Sequence, residues 1–303
     1  MSAATMLGVA LALDLLFGDP PNAFHPVAWL GRLTNALVRR APETGALRQL
    51  VAGAAIVLLT IGAGLGALFV VEAALAATPT VAFWVEAAVL TCLFAIRGLG
   101  AAGRVVRDAL AGGRLDDARH ALSALCSRDA AALDESQLAA ATIESLAENL
   151  SDSFVAPLLA FAFFGLPGAI VYRIVNTLDA MIGYRGRYEH LGKAAARLDD
   201  VLNLIPARLT AGLLLAAGAL MNANAREGLR VLRRDRGVTA SPNAGWPMAA
   251  MAGLLGVALE KPGYYRLGDA TRPVSVDDID RAWRIVAGAA ALAALVALGI
   301  AYG

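Results

Sequence analysis

Residues 50–77, LVAGAAIVLLTIGAGLGALFVVEAALAA, carry a single charge, Glu72, near their end. A helix needs about 20 apolar residues to cross the hydrocarbon core of a bilayer, and Leu50 to Ala77 exceeds that length. The turn Thr78-Pro79-Thr80 follows, and then a second apolar run from Val81 to Ile96, so the two read as a helical hairpin. Trp283 to Tyr302 is a further span with an aromatic residue at each end, where amphipathic rings anchor at the membrane interface. The expected fold class is all-α: a polytopic integral membrane helical bundle, with residues 1–303 forming one membrane domain.

Composition agrees with that reading. The chain is 58% hydrophobic and 17% charged, against about a quarter charged in soluble domains, and its mean hydropathy is +0.61. A net charge of +1 offers no global field for nucleic acid, so membrane lipid is the expected medium and nucleic acid is not an expected partner. Two cysteines, Cys92 and Cys126, make neither a disulfide framework nor a metal knuckle. At the N-terminus no Lys or Arg precedes the apolar run, Asp14 interrupts it, and Gly18-Asp19-Pro20-Pro21 is a poor cleavage site. Ala4 to Phe17 therefore reads as a short, retained membrane helix.

Three other apolar segments are irregular, and they predict re-entrant or broken helices. Phe154 to Ile182 is interrupted by Gly165-Leu166-Pro167-Gly168, Leu204 to Met221 has Arg208 near its entrance, and Trp246 to Leu259 is too short for an upright crossing. Residues 98–152 place charges among Ala, Leu and Val at helical spacing, which predicts an amphipathic-helical insertion on the cytoplasmic side. Basic loops at Asp19–Gln49, Tyr184–Arg197 and Asn222–Ala240 all belong in the cytoplasm by the positive-inside rule. A single crossing between the last two would put one of them outside, so Leu204–Met221 is a hairpin or re-entrant element, or one loop violates the rule.

Polar chemistry gathers around these irregular segments. Glu144, Glu148 and Asp152 follow i, i+4, i+8 spacing, which stacks three carboxylates on one helical face. Like charges so placed repel; Mg²⁺ is one answer, a solvated helix face the other. Arg173, Asn176 and Asp179 sit in an apolar run, with Tyr184 just beyond it. Ionisable groups at membrane depth mark a functional cavity, or an Arg173–Asp179 pair that only fastens helices. Asp199 and Asp200, with Asn203 and Arg208, offer oxygen ligands beside a cation, or a plain juxtamembrane charge cluster. Arg233-Arg234-Asp235-Arg236 precedes Ser241-Pro242-Asn243-Ala244-Gly245-Trp246-Pro247, an ordered turn into a short helix whose start can present N–H groups to an anion. His25 precedes Pro26, a common place for a turn residue. Phosphate-loop, serine-hydrolase and zinc-protease motifs are absent from the sequence.

These strings resemble the adenosylcobinamide-phosphate synthase family of cobalamin biosynthesis, CobD/CbiB. The resemblance rests on Leu13–Pro20 with His25-Pro26, on Glu144–Asp152, on Tyr172–Tyr184, on Ala196–Arg208, and on Arg234-Asp235-Arg236 with Ser241–Trp246, in family order over nearly the whole chain. It implies an ATP-dependent ligase with Mg²⁺ that joins adenosylcobyric acid to (R)-1-amino-2-propanol O-phosphate or a related amino-alcohol phosphate, through an acyl phosphate. On that reading Glu144, Glu148, Asp152, Asp199 and Asp200 hold Mg²⁺–ATP. Arg173, Arg185, Arg208 and Arg234 meet phosphates, Asp179 helps deprotonate the amine, and Asn149, Asn176, Asn203, Asn243, Ser241, Tyr184 and His25 contact substrate. Catalysis falls to Glu144, Glu148, Asp179 and Arg173. The expected setting is the inner membrane with the site facing the cytoplasm, as a homodimer or beside other cobalamin-assembly enzymes. A corrinoid-binding or transporting protein and a non-enzymatic membrane sensor are the competing readings.

Overall fold

The computed structural model describes residues 2–184, 186 and 188–303. It is helical, as the apolar periodicity predicts, and four helical stretches are long and apolar enough to cross a membrane: Ala46–Leu75, Pro79–Ala111, Glu135–Ile182 and Val276–Tyr302. A fifth arises if the bent pair Lys193–Leu202 and Leu204–Leu220 counts as one span. The chain packs as two compact units, residues 1–95, 156–202 and 297–303 in the first and 96–155 and 203–296 in the second.

The first unit contains α1 (Ala3–Phe17), α2 (Pro26–Val38), α3 (Ala46–Leu75), α4 (Pro79–Thr91), α8 (Ala156–Ile182) and α9 (Lys193–Leu202). Ser2 caps α1 by accepting from the Thr5 N–H, and the start of α2 combines Pro26 in its first turn with His25 as cap. Along α3, Val51, Leu58, Leu59, Phe69 and Val70 are exposed, a face suited to lipid. Its other side is closely packed: at Gly53 a side chain would collide with the Leu191 carbonyl, so only glycine lets the two backbones approach. The expected break in α8 is a kink at Gly165, whose φ of 65° belongs to glycine, followed by Pro167.

The second unit contains α5 (Ile96–Ala111), α6 (Leu115–Leu122), α7 (Glu135–Leu150), α10 (Leu204–Leu220), α11 (Ala225–Asp235), α12 (Gly245–Leu255), β1 (Leu259–Lys261), β2 (Tyr265–Leu267) and most of α13 (Val276–Tyr302). Amphipathic character fits α5 and α6. Helix α7 differs from that expectation: it is buried almost throughout, because Ala139, Ala140, Ala141 and Ala147 let neighbouring elements close on every side. Its start carries a capping box, with Asp134 accepting from the Gln137 N–H at 2.8 Å and the Gln137 side chain accepting from the Asp134 N–H at 3.0 Å. A π-turn, Ser151–Val155, follows it. The short segment after Trp246 ends as a helix at Leu255, where Gly256 takes the left-handed conformation. The antiparallel strands β1 and β2 then pair Leu259 with Leu267 and Lys261 with Tyr265, a small element the helical pattern does not predict.

Candidate functional site

In the second unit, α7 carries the acidic string. Glu144 is 2% exposed, and burial of a carboxylate demands a partner. That partner is Arg128, whose Nη2 donates to Glu144 Oε2 while its Nη1 donates to the Glu260 carbonyl at 3.4 Å. Glu144 Oε1 has no hydrogen-bond partner among the described residues. Tyr265 lies close to the pair, and its hydroxyl pKa is raised first by burial and then by the charges of Glu144 and Glu148. Arg128, Tyr265 and nearby Lys261, which also acts on Glu144, were not legible beforehand: Arg128 sits in a polar loop, and nothing local marks it as the mate of a residue on α7.

Glu148 and Asn149 are half-buried. The Asn149 amide donates to the Ser145 carbonyl at 2.9 Å and to the Leu125 carbonyl at 3.4 Å, so it ties α7 to the loop before it. Asp152, the third carboxylate of the string, lies in the π-turn that follows α7.

The Ser241–Trp246 string is an ordered turn. The Ser241 hydroxyl accepts from the Asn243 and Ala244 N–H groups at 3.2 and 3.4 Å. Gly245 packs against the Arg236 carbonyl, where a Cβ would clash. Asn243, buried, accepts from Arg208 Nη1 at 3.1 Å, so two predicted residues from separate segments do meet. Asn203, also buried, occupies the position before α10 but makes no side-chain cap bond to it. Arg234 is placed otherwise. Its guanidinium makes two bonds to Asp235, 2.6 and 2.8 Å, and one to Asp269, 2.9 Å. Asp235 also accepts from the Gly268 N–H at 2.7 Å, so Arg234 fastens α11 to the segment after β2. The Arg234 hydrogen bonds hold the Asp235 carboxyl below the usual range, and Arg230 with Arg234 do the same to Asp269.

In the first unit, α8 and α9 present the other cluster. Asn176 accepts from Arg173 Nη1 at 3.5 Å and donates to Asp199 Oδ1 at 3.3 Å, which links guanidinium, amide and carboxylate in a row. Asp179 and Asp200 are half-buried beside them on the same helices, and Asp200 lies 3.7 Å from Arg197. Tyr184 is exposed. Arg185 lies outside the described residues. His25 Nδ1 accepts from the Val27 N–H at 3.2 Å and its Nε2 stands 3.5 Å from Asp19, so one ring nitrogen is committed to capping α2. Among the described residues, no three His, Cys, Asp or Glu side chains gather as a metal cage.

Comparison with known proteins gives the family. The family described as CobD/Cbib protein matches residues 7–286. The chain is 41% identical over 295 residues to the cobalamin biosynthesis protein CobD of Dehalococcoides mccartyi (strain CBDB1), covering 97% of this chain and 96% of that one. It is 38% identical over 308 residues to cobalamin biosynthesis protein CobD of Klebsiella pneumoniae, covering 97% and 96%. A probable cobalamin biosynthesis protein CobD of Thermococcus kodakarensis is 43% identical over 286 residues, covering 91% and 88%. No solved structure matches the chain. Similarity along almost the full length places this chain, with its four helical stretches long and apolar enough to span a membrane, in the CobD/CbiB family of cobalamin biosynthesis proteins.

Proposed function

We propose that the protein is an ATP-dependent carbon–nitrogen ligase of the inner membrane, with its site towards the cytoplasm. It joins adenosylcobyric acid to the amine of (R)-1-amino-2-propanol O-phosphate, or a related amino-alcohol phosphate, to give adenosylcobinamide phosphate. The observation that carries this reading is the buried Glu144, paired on one oxygen with Arg128 and, among the described residues, without a hydrogen-bond partner on the other. A buried carboxylate oxygen in that state, in a chain of a biosynthetic family, is a ready point of attachment for a cationic reactant or metal-bound phosphate.

A carboxylate and an ammonium do not condense unaided in water. In the proposed reaction a carboxylate oxygen of the corrinoid attacks the γ-phosphorus of ATP, and ADP leaves. The free amine then attacks the acyl carbon, the amide bond forms, and phosphate departs with the C–O electron pair. Asp179 takes the proton that the ammonium loses before attack, and the departing phosphate takes the second, which the nitrogen loses as the amide forms. Such chemistry depends on positioning and on charge stabilisation more than on covalent catalysis. Arg173 and Arg208 meet phosphate oxygens, and Asn149, Asn176 and Asn243 orient the reactants.

The donor set fits Mg²⁺ that arrives on nucleotide phosphates, since that ion takes one or two carboxylates and completes its shell with water and phosphate. Glu144 and Glu148, with Asp152, are the residues assigned to it in one unit, and Asp199 and Asp200 in the other. When bound, it neutralises charge on the β- and γ-phosphates. The test is direct. Purified protein in detergent receives adenosylcobyric acid, aminopropanol phosphate, ATP and Mg²⁺, and product and ADP are measured. Folded protein that makes no ATP-dependent product sinks the ligase reading.

A further inference from the structure

Trp246, the second residue of α12, stands against two guanidiniums. Arg208 Cζ, from α10, is 4.5 Å from the indole centroid, and Arg236 Cζ, at the end of α11, is 4.8 Å from it. Both Arg208 hydrogen bonds leave from Nη1, to the Leu204 carbonyl at 2.7 Å and to Asn243 Oδ1 at 3.1 Å. That leaves the Nε–Nη2 edge without a protein acceptor among the described residues. The Arg236 side chain donates to no described residue at all; its backbone N–H bonds to the Leu232 carbonyl as the helix ends.

The neighbouring arginines of α11 are treated differently. Arg230 and Arg234 are each neutralised by carboxylates, whereas neither Arg208 nor Arg236 has an ion pair among the described residues. A π face holds a guanidinium in place but does not cancel its charge. The local backbone is also fixed, by the Ser241 turn and by the contact of Gly245 with the Arg236 carbonyl. Two like-charged guanidiniums packed on one indole, neither matched by a carboxylate among the described residues, therefore stand ready for an anion.

We propose that Arg208, Arg236 and Trp246 form a phosphate-binding site that takes a phosphate monoester dianion. A carboxylate carries one negative charge and can cancel only one of the two guanidiniums. A terminal phosphate has three oxygens and carries close to two negative charges at neutral pH, so it satisfies two forks at once. Two phosphates of the proposed reaction share this chemistry, the terminal phosphate of ATP and that of the amino alcohol. The site rests on the ligase reading only for which of these it carries.

The experiment measures inorganic phosphate binding by calorimetry on the detergent-purified full chain, without other substrates. Arg236→Gln and Arg208→Gln are expected to weaken binding at least tenfold, and Arg236→Lys to recover part of it. Trp246→Phe keeps a ring, and it is expected to weaken binding less than either glutamine variant. Arg233→Gln, an exposed neighbour on α11, is expected to leave affinity unchanged. In steady-state assays, Arg236→Gln then raises KM selectively for aminopropanol phosphate or selectively for ATP, which names the carrier. Unchanged phosphate affinity in Arg236→Gln overturns the proposal, and so does an equal loss in Arg233→Gln, which would report diffuse charge. A protein that binds phosphate in this pattern yet ligates nothing keeps the site and loses the ligase.

Discussion

Arg128 and Glu144 meet with 11% and 3% of their side chains exposed, whereas Arg230 and Asp269, in the same unit, keep 51% and 42%. Both are arginine–carboxylate pairs, and both connect a helix to a loop or strand segment. Their physics differs. In the exposed network, water and salt screen each charge, and such pairs contribute about 0–1 kcal/mol to stability in proteins generally. In the buried pair, each charge has lost its hydration, and the pair is a net liability unless its geometry recovers that loss. A protein that only needed to join α7 to its surroundings would do so more cheaply with apolar residues. Glu144 has an oxygen that no described donor satisfies, which supports the proposal that it serves the chemistry. The exposed network looks like fastening.

The comparison breaks first on activity. Glu144→Gln is expected to lower ligation by about a hundredfold or more, the scale of losing a group that acts on developing charge, and Glu148→Gln and Asp152→Asn to abolish it while the protein still inserts and folds. Near-normal turnover in the last two, measured as product and ADP, would refute the metal assignment for this string. Arg230→Gln serves as the reference and is expected to leave turnover at the wild-type rate.

On stability the largest effect belongs to Arg128→Met. It strands a buried carboxylate, a defect worth about 3–5 kcal/mol. Adding Glu144→Gln to the same chain should return most of the loss, because the orphaned charge is then gone. Thermal unfolding in detergent reads both. If the double variant is no more stable than Arg128→Met alone, Arg128 supports the fold by packing and not by neutralising Glu144.

These contrasts also show where the sequence was readable. The spans were, because hydropathy is local: Leu50–Ala77 anticipates the helix Ala46–Leu75 closely, and Gly165-Leu166-Pro167-Gly168 marks the kink in α8. The Ser241–Trp246 turn was legible for the same reason, since Ser, Pro, Asn and Gly specify it residue by residue. What depends on distant partners was not. Arg128 reaches Glu144 only through the packing of its loop on α7, and Asn176 finds Asp199 only once α8 and α9 lie together. The π-turn at Ser151–Val155 leaves no signature in composition, and the three-residue strands β1 and β2 are too short to announce themselves by alternation. His25 reads as a cap in hindsight, because Pro26 after it is a helix-start signal.

Within the fastening network the inner carboxylate should matter more than the outer one. Asp235 is buried and accepts from both Arg234 and the Gly268 N–H, so Asp235→Asn is expected to cost about 1–3 kcal/mol at pH 7, the scale of losing a charged acceptor. Its folded carboxyl titrates below the usual range because of Arg234. The stabilisation is therefore present above the ordinary carboxylate pKa of about 3.9 and disappears as pH falls through the lower folded value. The gap in melting temperature between wild type and Asp235→Asn should be full at pH 7 and should close in acid.

Asp269→Asn is the smallest effect and the sharpest check on the contrast. Arg230 and Arg234 also hold the Asp269 carboxyl below its ordinary range, so the sign of its pH dependence is the same: stabilising above the unfolded pKa, lost as pH falls through the folded one. Its exposure adds a second signature that Glu144 lacks. Screening at about 1 M salt shortens the reach of charge to about 3 Å, so the small melting difference between wild type and Asp269→Asn at pH 7 should fade with added salt, while the penalty of Arg128→Met should persist. A salt-insensitive Asp269→Asn penalty would mean that the outer network is as dry as the inner pair, and the distinction between fastening and chemistry drawn from exposure would fail.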